Sequence, residues 1–342
     1  MGGAIFKESR RITTKELEDL IVDVSGKLNS LGIENKALEY FKTKEDHGDL
    51  DLVCKGDVIS DKSLIDLFGE IPISRNGKTV SFLYDNVQID LNFHKPEDFR
   101  SAFDFYRLGD VGQIVGRIAH ALGLKYGHFG LSFPVKLSDC EEVGEINISQ
   151  NTQKIMKFFD LDYNQWLEGF NDQVDMFEWV IKSKYFNPSM FAFENLNNIN
   201  KVRNKKRPMY AALVKYLEDL KTDREYLPVP KNKTEYLWKA LIHFSQMYRL
   251  DDIRQMLCNY SDAKEANAIF NGNDVKELLG IEGKELGKVY KQFENYCLSN
   301  MTDYRYEITD TPARKWQWFR LNRDKSSMYT LFRGWYETTK NC

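Results

Sequence analysis

Cysteine is scarce in this 342-residue chain, and the five present (Cys54, Cys140, Cys258, Cys297 and Cys342) are widely spaced with no C-x-x-C pair. That usage excludes a disulfide framework and a cysteine zinc site, and it fits a reducing cytoplasm. The five read as small buried hydrophobes plus one terminal thiol. Histidine is equally sparse: His47, His94, His120, His128 and His243 form no H-x-x-x-H pair and have no cysteine partner, which excludes a histidine zinc site. No apolar run reaches the roughly 18–20 residues that span a bilayer, and the N-terminus has no signal-peptide pattern. Gly2 follows Met1, but Phe6 stands where a lipidation motif requires Ser or Thr. There is no P-loop and no nucleophile elbow, Gly-x-Gly combinations are too sparse for a dinucleotide fold, and no internal repeat stands out. A cytoplasmic protein with no membrane partner is the expectation.

What is present is the composition of a folded chain, 42% apolar and 29% charged, long enough for two or three compact units. The net charge of −3 is unevenly spread. Residues 1–100 hold 14 basic and 19 acidic side chains, whereas residues 201–250 hold 12 and 5. An acidic front and a basic middle suit a metal-binding unit joined to a polyanion-binding one.

Along the chain, residues 14–31 read as an amphipathic helix with Thr14 as N-cap and Leu17, Leu20, Ile21, Val24 and Leu28 at helical spacing. Alternation predicts a strand over 48–54, followed by a short helix around 62–68. A meander comes next, with turns at Asn76-Gly77 and Asp85-Asn86. A helix over 103–123, strands over 127–135 and 142–148, and a helix over 152–159 complete the front half. The remainder reads as helical, with Tyr226–Asn232 as a proline-bearing linker and an aromatic, basic end from Met301. The expected fold is therefore α+β: a small mixed sheet first, then mainly helical segments. The divisions expected are 1–135, 136–227, 228–300 and 301–342.

The chemistry concentrates in two of those strands. In Gly48-Asp49-Leu50-Asp51-Leu52 and Val87-Gln88-Ile89-Asp90-Leu91, carboxylates alternate with apolar residues. Side chains on a strand alternate faces, so Asp49 and Asp51 share a side, with Leu50 and Leu52 turned to a core. Asp90 belongs to the polar face of its own strand. Three carboxylates on one face repel each other unless a cation lies between them, and a hard divalent cation such as Mg²⁺, paired with a phosphate ligand, answers that need.

A Gly before D-x-D on a strand, with a third Asp about forty residues on along a hairpin, resembles the DNA polymerase β-like nucleotidyltransferases. A second resemblance lies in Phe270-Asn271-Gly272-Asn273-Asp274 through Gly280-Ile281-Glu282-Gly283-Lys284-Glu285-Leu286-Gly287-Lys288, which is similar to the helical-domain motif of tRNA CCA-adding enzymes and poly(A) polymerases. That family joins the two units in this order. The resemblance implies two Mg²⁺ ions held by Asp49, Asp51 and Asp90, an NTP substrate (ATP or CTP), and transfer of NMP to the 3′ end of an RNA such as tRNA. It also implies a helix, a glycine-rich turn and a second helix from about Lys284, with Gly283, Lys284 and Lys288 meeting an RNA phosphate.

Two departures stand out. Leu38-Glu39-Tyr40-Phe41-Lys42 occupies the place where the superfamily has a Gly-Gly or Gly-Ser triphosphate cradle, while Gly2-Gly3 lies far upstream. The segments by which CCA-adding enzymes choose C and then A are missing. Gly48, Lys42, Lys44, Arg107 and Arg117, with Lys125, are the candidates for triphosphate contact. Arg203, Lys205, Lys206 and Arg207, the densest basic cluster, are the candidates for RNA contact. The competing readings are nucleotidylation of a protein or small molecule, and an RNA-binding protein on a catalytically decayed scaffold.

Overall fold

In the computed structural model, which describes residues 5–138, 141–220, 223–299 and 324–340, the chain enters through a two-residue strand β1 (Ile12–Thr13) and turns at once into helix α1 (Thr14–Ser30). The N-cap is Thr13 rather than Thr14. Glu16 sits three residues after Thr13, so the two close a capping box: the Thr13 backbone amide donates to Glu16 Oε2 at 2.8 Å, and the Glu16 amide donates to Thr13 Oγ1 at 3.3 Å. The apolar stripe of α1, Leu17, Leu20, Val24 and Leu28, is buried.

Strands β2 (Asn35–Ala37), β3 (Asp46–His47) and β4 (Asp49–Lys55) follow, then helix α2 (Asp61–Phe68) and the meander β5 (Ile73–Asn76), β6 (Thr79–Tyr84) and β7 (Val87–His94). They build a five-stranded sheet in the order β2-β4-β7-β6-β5, with β1 and β3 forming a separate two-stranded ribbon. The two carboxylate strands, β4 and β7, run parallel, while the other neighbouring pairs in this sheet are antiparallel. One sheet face packs Leu50, Leu52, Phe82, Ile89, Leu91 and Phe93 against α1 and α2. At about 25 cal/mol per Å² of apolar area, this layer supplies the main drive for closing the unit.

The single helix expected over 103–123 is two: α3 (Phe99–Tyr106) and α4 (Val111–Ala121). The break has a backbone cause. Gly109 takes φ +48°, and a Cβ at Gly112 would stand 2.1 Å from the carbonyl oxygen of Phe105. The chain can fold α4 this closely onto the end of α3 only through glycine. Helix α3 covers part of the other sheet face, where Val53, Phe99 and Ala102 are buried together.

Strands β8 (Lys125–Gly127), β9 (Gly130–Ser138) and β10 (Glu141–Ser149) form a three-stranded sheet in the order β10-β9-β8. Helices α5 (Thr152–Phe158), α6 (Tyr163–Glu168) and α7 (Gln173–Ile181) follow, capped by Asn151, Asp162 and Asp172. The chain continues through α8 (Asn198–Asn204), α9 (Pro208–Asp219) and α10 (Thr234–His243), then α11 (Arg249–Ile269), α12 (Gly272–Leu279), α13 (Gly283–Ser299) and α14 (Lys325–Lys340).

Two compact units result, where the sequence reading divided the chain into four. Residues 1–134 and 145–247 make one, and residues 135–144 and 248–342 make the other. The middle helices do not stand apart from the sheet, because Trp166, Phe170, Phe177 and Trp179 are buried in the same unit. Tyr226–Asn232 accordingly runs inside the first unit. The second unit has its own core of Phe270, Val275, Phe293, Cys297, Met328 and Phe332. Its helix–glycine turn–helix forms as expected, with Gly280 in the left-handed region at φ 66° and Gly283 at φ 61°. Asp274 ties α12 to α14 by accepting from Tyr329 Oη at 2.8 Å and pairing with Lys325 at 2.9 Å.

Cys54 and Cys297 are buried as expected, whereas Cys258 is exposed on α11. Cys140, Cys342, Gly2-Gly3, Trp316, Trp318 and Phe319 lie outside the described residues. Among those described, no helix is long and apolar enough to cross a membrane.

Candidate active site

The register between β4 and β7 decides the geometry. Asp51 stands directly beside Asp90, and Asp49 stands beside Gln88, with all four on the polar side of the parallel pair. On the antiparallel side of β7, the buried Ser81 is the register partner of Asp90. Asp49, Asp51 and Asp90 are each half-buried. Burial pushes the Asp51 carboxyl up to about 8, and the charges of Asp49 and Asp90 push in the same direction, while Lys44 opposes them. Without a cation, the protonated form of Asp51 is therefore favoured at neutral pH.

Gln88, which the sequence reading passed over, organises this face. Its side-chain amide donates to both oxygens of Asp90, at 3.1 and 2.9 Å. Its carbonyl oxygen accepts from the Ile5 backbone amide at 2.9 Å, which ties the start of the described chain to the carboxylate strand. The period of two did put Gln88 on the Asp90 face, but nothing in the sequence marked a neutral amide as a ligand holder.

The segment before β4 is held from both sides. Thr14 Oγ1 donates to the Lys44 carbonyl at 2.8 Å, and the Thr14 amide donates to the Glu45 carbonyl at 3.1 Å. Arg11 pairs with Asp46, and its charge also feels Asp49. On the other flank, the amides of Lys42 and Thr43 donate to the carbonyls of Phe170 and Asn171. Lys44 is exposed and near enough to Asp51 to favour its charged form, as a phosphate-facing cation there would. Lys42 is exposed, and Gly48 is buried between β3 and β4.

Arg107 is a correction. It is 7% exposed, and its guanidinium is fully engaged: Nε donates to Glu39 Oε1 at 2.6 Å, Nη1 to the Trp166 carbonyl at 3.1 Å, and Nη2 to the Leu167 carbonyl at 2.6 Å. It also lies 4.6 Å over the Trp166 ring. A guanidinium with these partners is a brace and not a triphosphate ligand. The same pair accounts for Glu39, whose carboxylate is neutralised by Arg107 in the place where the cradle was sought.

The basic candidates fall into separate groups. Arg117, Arg203 and Arg207, with Lys125, line a cavity of about 470 Å³ in the first unit that none of the three aspartates lines. Lys205 and Lys206 are exposed and do not line it. Gly283, Lys284 and Lys288 are exposed in the second unit, at the start of α13.

A scan against protein-family models finds no match, and a search of curated proteins finds no similar one. Among the described residues, no three His, Cys, Asp or Glu side chains already stand in an array able to hold a metal ion. The donor set nonetheless suits a hard cation. Three carboxylates share a face, and the repulsion on Asp51 is what a bound cation would relieve.

Proposed function

We propose that the protein is a metal-dependent nucleotidyltransferase that moves NMP from an NTP (ATP or CTP) to the 3′ end of an RNA such as tRNA. The observation that carries this reading is the parallel register placing Asp51 beside Asp90, with Asp49 on the same side of β4. Few structural demands put three acids on adjacent strands, because the arrangement destabilises the metal-free fold. Catalysis through divalent cations does demand it.

In this reading Asp49 and Asp51 would hold Mg²⁺, and Asp90 would complete the set by releasing at least part of its bond with Gln88. Bound Mg²⁺ would neutralise the triphosphate and acidify the attacking hydroxyl. Lys44 would face the anionic substrate, and the brace from Arg107 to Glu39 would keep the preceding segment in place. The 3′-hydroxyl loses its proton to solvent as its oxygen bonds to the α-phosphorus, the α–β bridging P–O bond breaks, and pyrophosphate leaves with that bond's electron pair.

One observation favours a second reading. The Glu39–Arg107 pair occupies the place of the expected triphosphate cradle, which suits an RNA-binding protein on a decayed scaffold. Incubation with labelled ATP or CTP, Mg²⁺ and deproteinised total RNA separates the two. Label in RNA that is lost in Asp49→Ala supports transfer to RNA. Label on protein or on a small acceptor moves the reading to those substrates. Salt-sensitive RNA binding without transfer supports the decayed scaffold.

A further inference from the structure

The cavity that gathers Arg117, Arg203 and Arg207 has more positive charge than its own carboxylates balance. Arg203, on α8, donates from Nη2 to the neutral Gln113 Oε1 at 3.0 Å. Arg207, the N-cap of α9, pairs with Asp110 at 3.3 Å, and Asp110 also accepts from Gln113 at 3.1 Å. Arg117, half-buried on α4, donates from Nε to the Met190 carbonyl at 2.7 Å and lies 3.5 Å from the His120 ring nitrogen. Among the described residues, Asp110 is thus the one carboxylate paired with any of the three guanidinium groups, and its partner is Arg207. Burial lowers the pKa of Arg117 and of Arg207; Asp110 opposes the shift at Arg207, while no carboxylate among the described residues pairs with Arg117. The nearby Lys125 does not add to this surplus, because Glu145 pairs with it at 2.8 Å.

The lining also includes aromatic side chains. Phe105 and Phe129 line the same cavity, and Phe129 is 47% exposed although it is a large apolar side chain. An exposed ring in one cavity with three arginines that share a single carboxylate partner is what a planar base with an attached phosphate needs: a stacking platform and forked donors. The volume of about 470 Å³ falls in the usual range for small-molecule sites.

We propose that this cavity is a binding site for one nucleotide unit, separate from the Asp49–Asp51–Asp90 face, with the phosphate on Arg117, Arg203 and Arg207 and the base against Phe105 and Phe129. The unit is either a free nucleotide or one residue of an RNA strand, and the chemistry of recognition is the same for both. The site stands whether or not the carboxylates transfer nucleotides.

The test uses the full chain in EDTA, so that metal-dependent phosphate binding at the carboxylates is suppressed, with AMP titrated by calorimetry beside adenosine and inorganic phosphate. AMP binds more tightly than either fragment. Arg203→Gln, at an exposed position whose loss leaves the fold intact, and Arg117→Gln each weaken AMP by about tenfold or more. Phe129→Ala weakens AMP without changing inorganic phosphate, and Asp49→Asn leaves AMP binding unchanged. A short oligoribonucleotide that displaces AMP identifies the natural occupant as an RNA residue, and AMP binding that it does not displace identifies a free nucleotide. The proposal is overturned by AMP binding that disappears in Asp49→Asn, by AMP binding indifferent to both arginine changes, by inorganic phosphate binding as tightly as AMP, or by no AMP binding at millimolar concentration.

Discussion

Gln88 grips Asp90 through both carboxylate oxygens while its own carbonyl oxygen holds the backbone amide of Ile5. One buried neutral side chain therefore orients a candidate metal ligand and anchors the N-terminal segment. Gln88→Ala removes both functions and leaves the Ile5 amide without its acceptor. The expected loss is about 1–3 kcal/mol of stability, mainly from the hydrogen bonds to the charged Asp90, since Ile5 is exposed and its amide can turn to water. Thermal unfolding measures that loss, and hydrogen exchange at Ile5 shows whether the tether has gone.

The Asp51 carboxyl makes metal-free stability depend on pH in a defined direction. Its pKa rises from about 3.8 in the free side chain to about 8 in the fold, first through burial and then through Asp49 and Asp90. The folded state therefore holds a proton that the unfolded chain has lost, and Asp51's contribution to stability is full below pH 3.8 and disappears as pH rises through 8. Asp51→Asn in EDTA should raise the melting temperature at pH 9 relative to wild type and change it little at pH 4. Added Mg²⁺ should stabilise wild type at pH 8 and stabilise Asp51→Asn much less. A wild-type melting temperature that is flat from pH 5 to 9 in EDTA would refute the linkage.

Arg107 is expected to matter for stability and not for substrate affinity. Arg107→Ala leaves the Trp166 and Leu167 carbonyls without their donor and exposes the stacking face of Trp166. Because the Glu39 side chain is 41% exposed, solvent screening weakens its half of the ion pair. A loss of about 1–3 kcal/mol is expected, mainly from the buried Trp166 carbonyl. Denaturant unfolding measures it. If the protein transfers nucleotides, the apparent KM for NTP in the surviving folded fraction should stay near the wild-type value.

The capping box on α1 gives a second pH effect, with the opposite sign. Hydrogen bonds from the Thr13 backbone and from Arg10, together with the Thr13 hydroxyl, lower the Glu16 carboxyl from 4.5 to about 2. That contribution is complete above pH 4.5 and is lost as pH falls through 2. Glu16→Gln should flatten the acid limb of the stability profile in this window. Thr13→Ala, which removes the reciprocal cap, should cost about 0.5–2 kcal/mol at neutral pH.

Periodicity carried much of this fold before any coordinate. The period of two in Asp49–Lys55 and Val87–His94 put each aspartate on the correct face, and Asn76-Gly77 and Asp85-Asn86 marked the two hairpin turns. Such signals are legible because they are local: each residue's face depends only on its neighbours along the strand. Arg107 was misassigned for the converse reason. Its partners, Glu39 and the carbonyls of Trp166 and Leu167, are distant in sequence, and no local pattern distinguishes a bracing guanidinium from a phosphate ligand. The break between α3 and α4 was missed because Gly112 is required by a contact with Phe105, a demand that an apolar periodicity running through both helices conceals.

By itself, the order of residues determined the α+β class, the carboxylate faces and the helix–glycine turn–helix near the end of the chain, since all three follow from local alternation, helical spacing and backbone preference. Tertiary structure alone decided which carboxylates meet. The parallel pairing of β4 with β7 puts Asp51 beside Asp90, and the antiparallel return of β6 adds Ser81. It also decided that Arg117, far in sequence from Arg203 and Arg207, shares one cavity with them. Strand pairing and helix packing convert residues far apart in the chain into neighbours, and long-range neighbours are what a binding site requires.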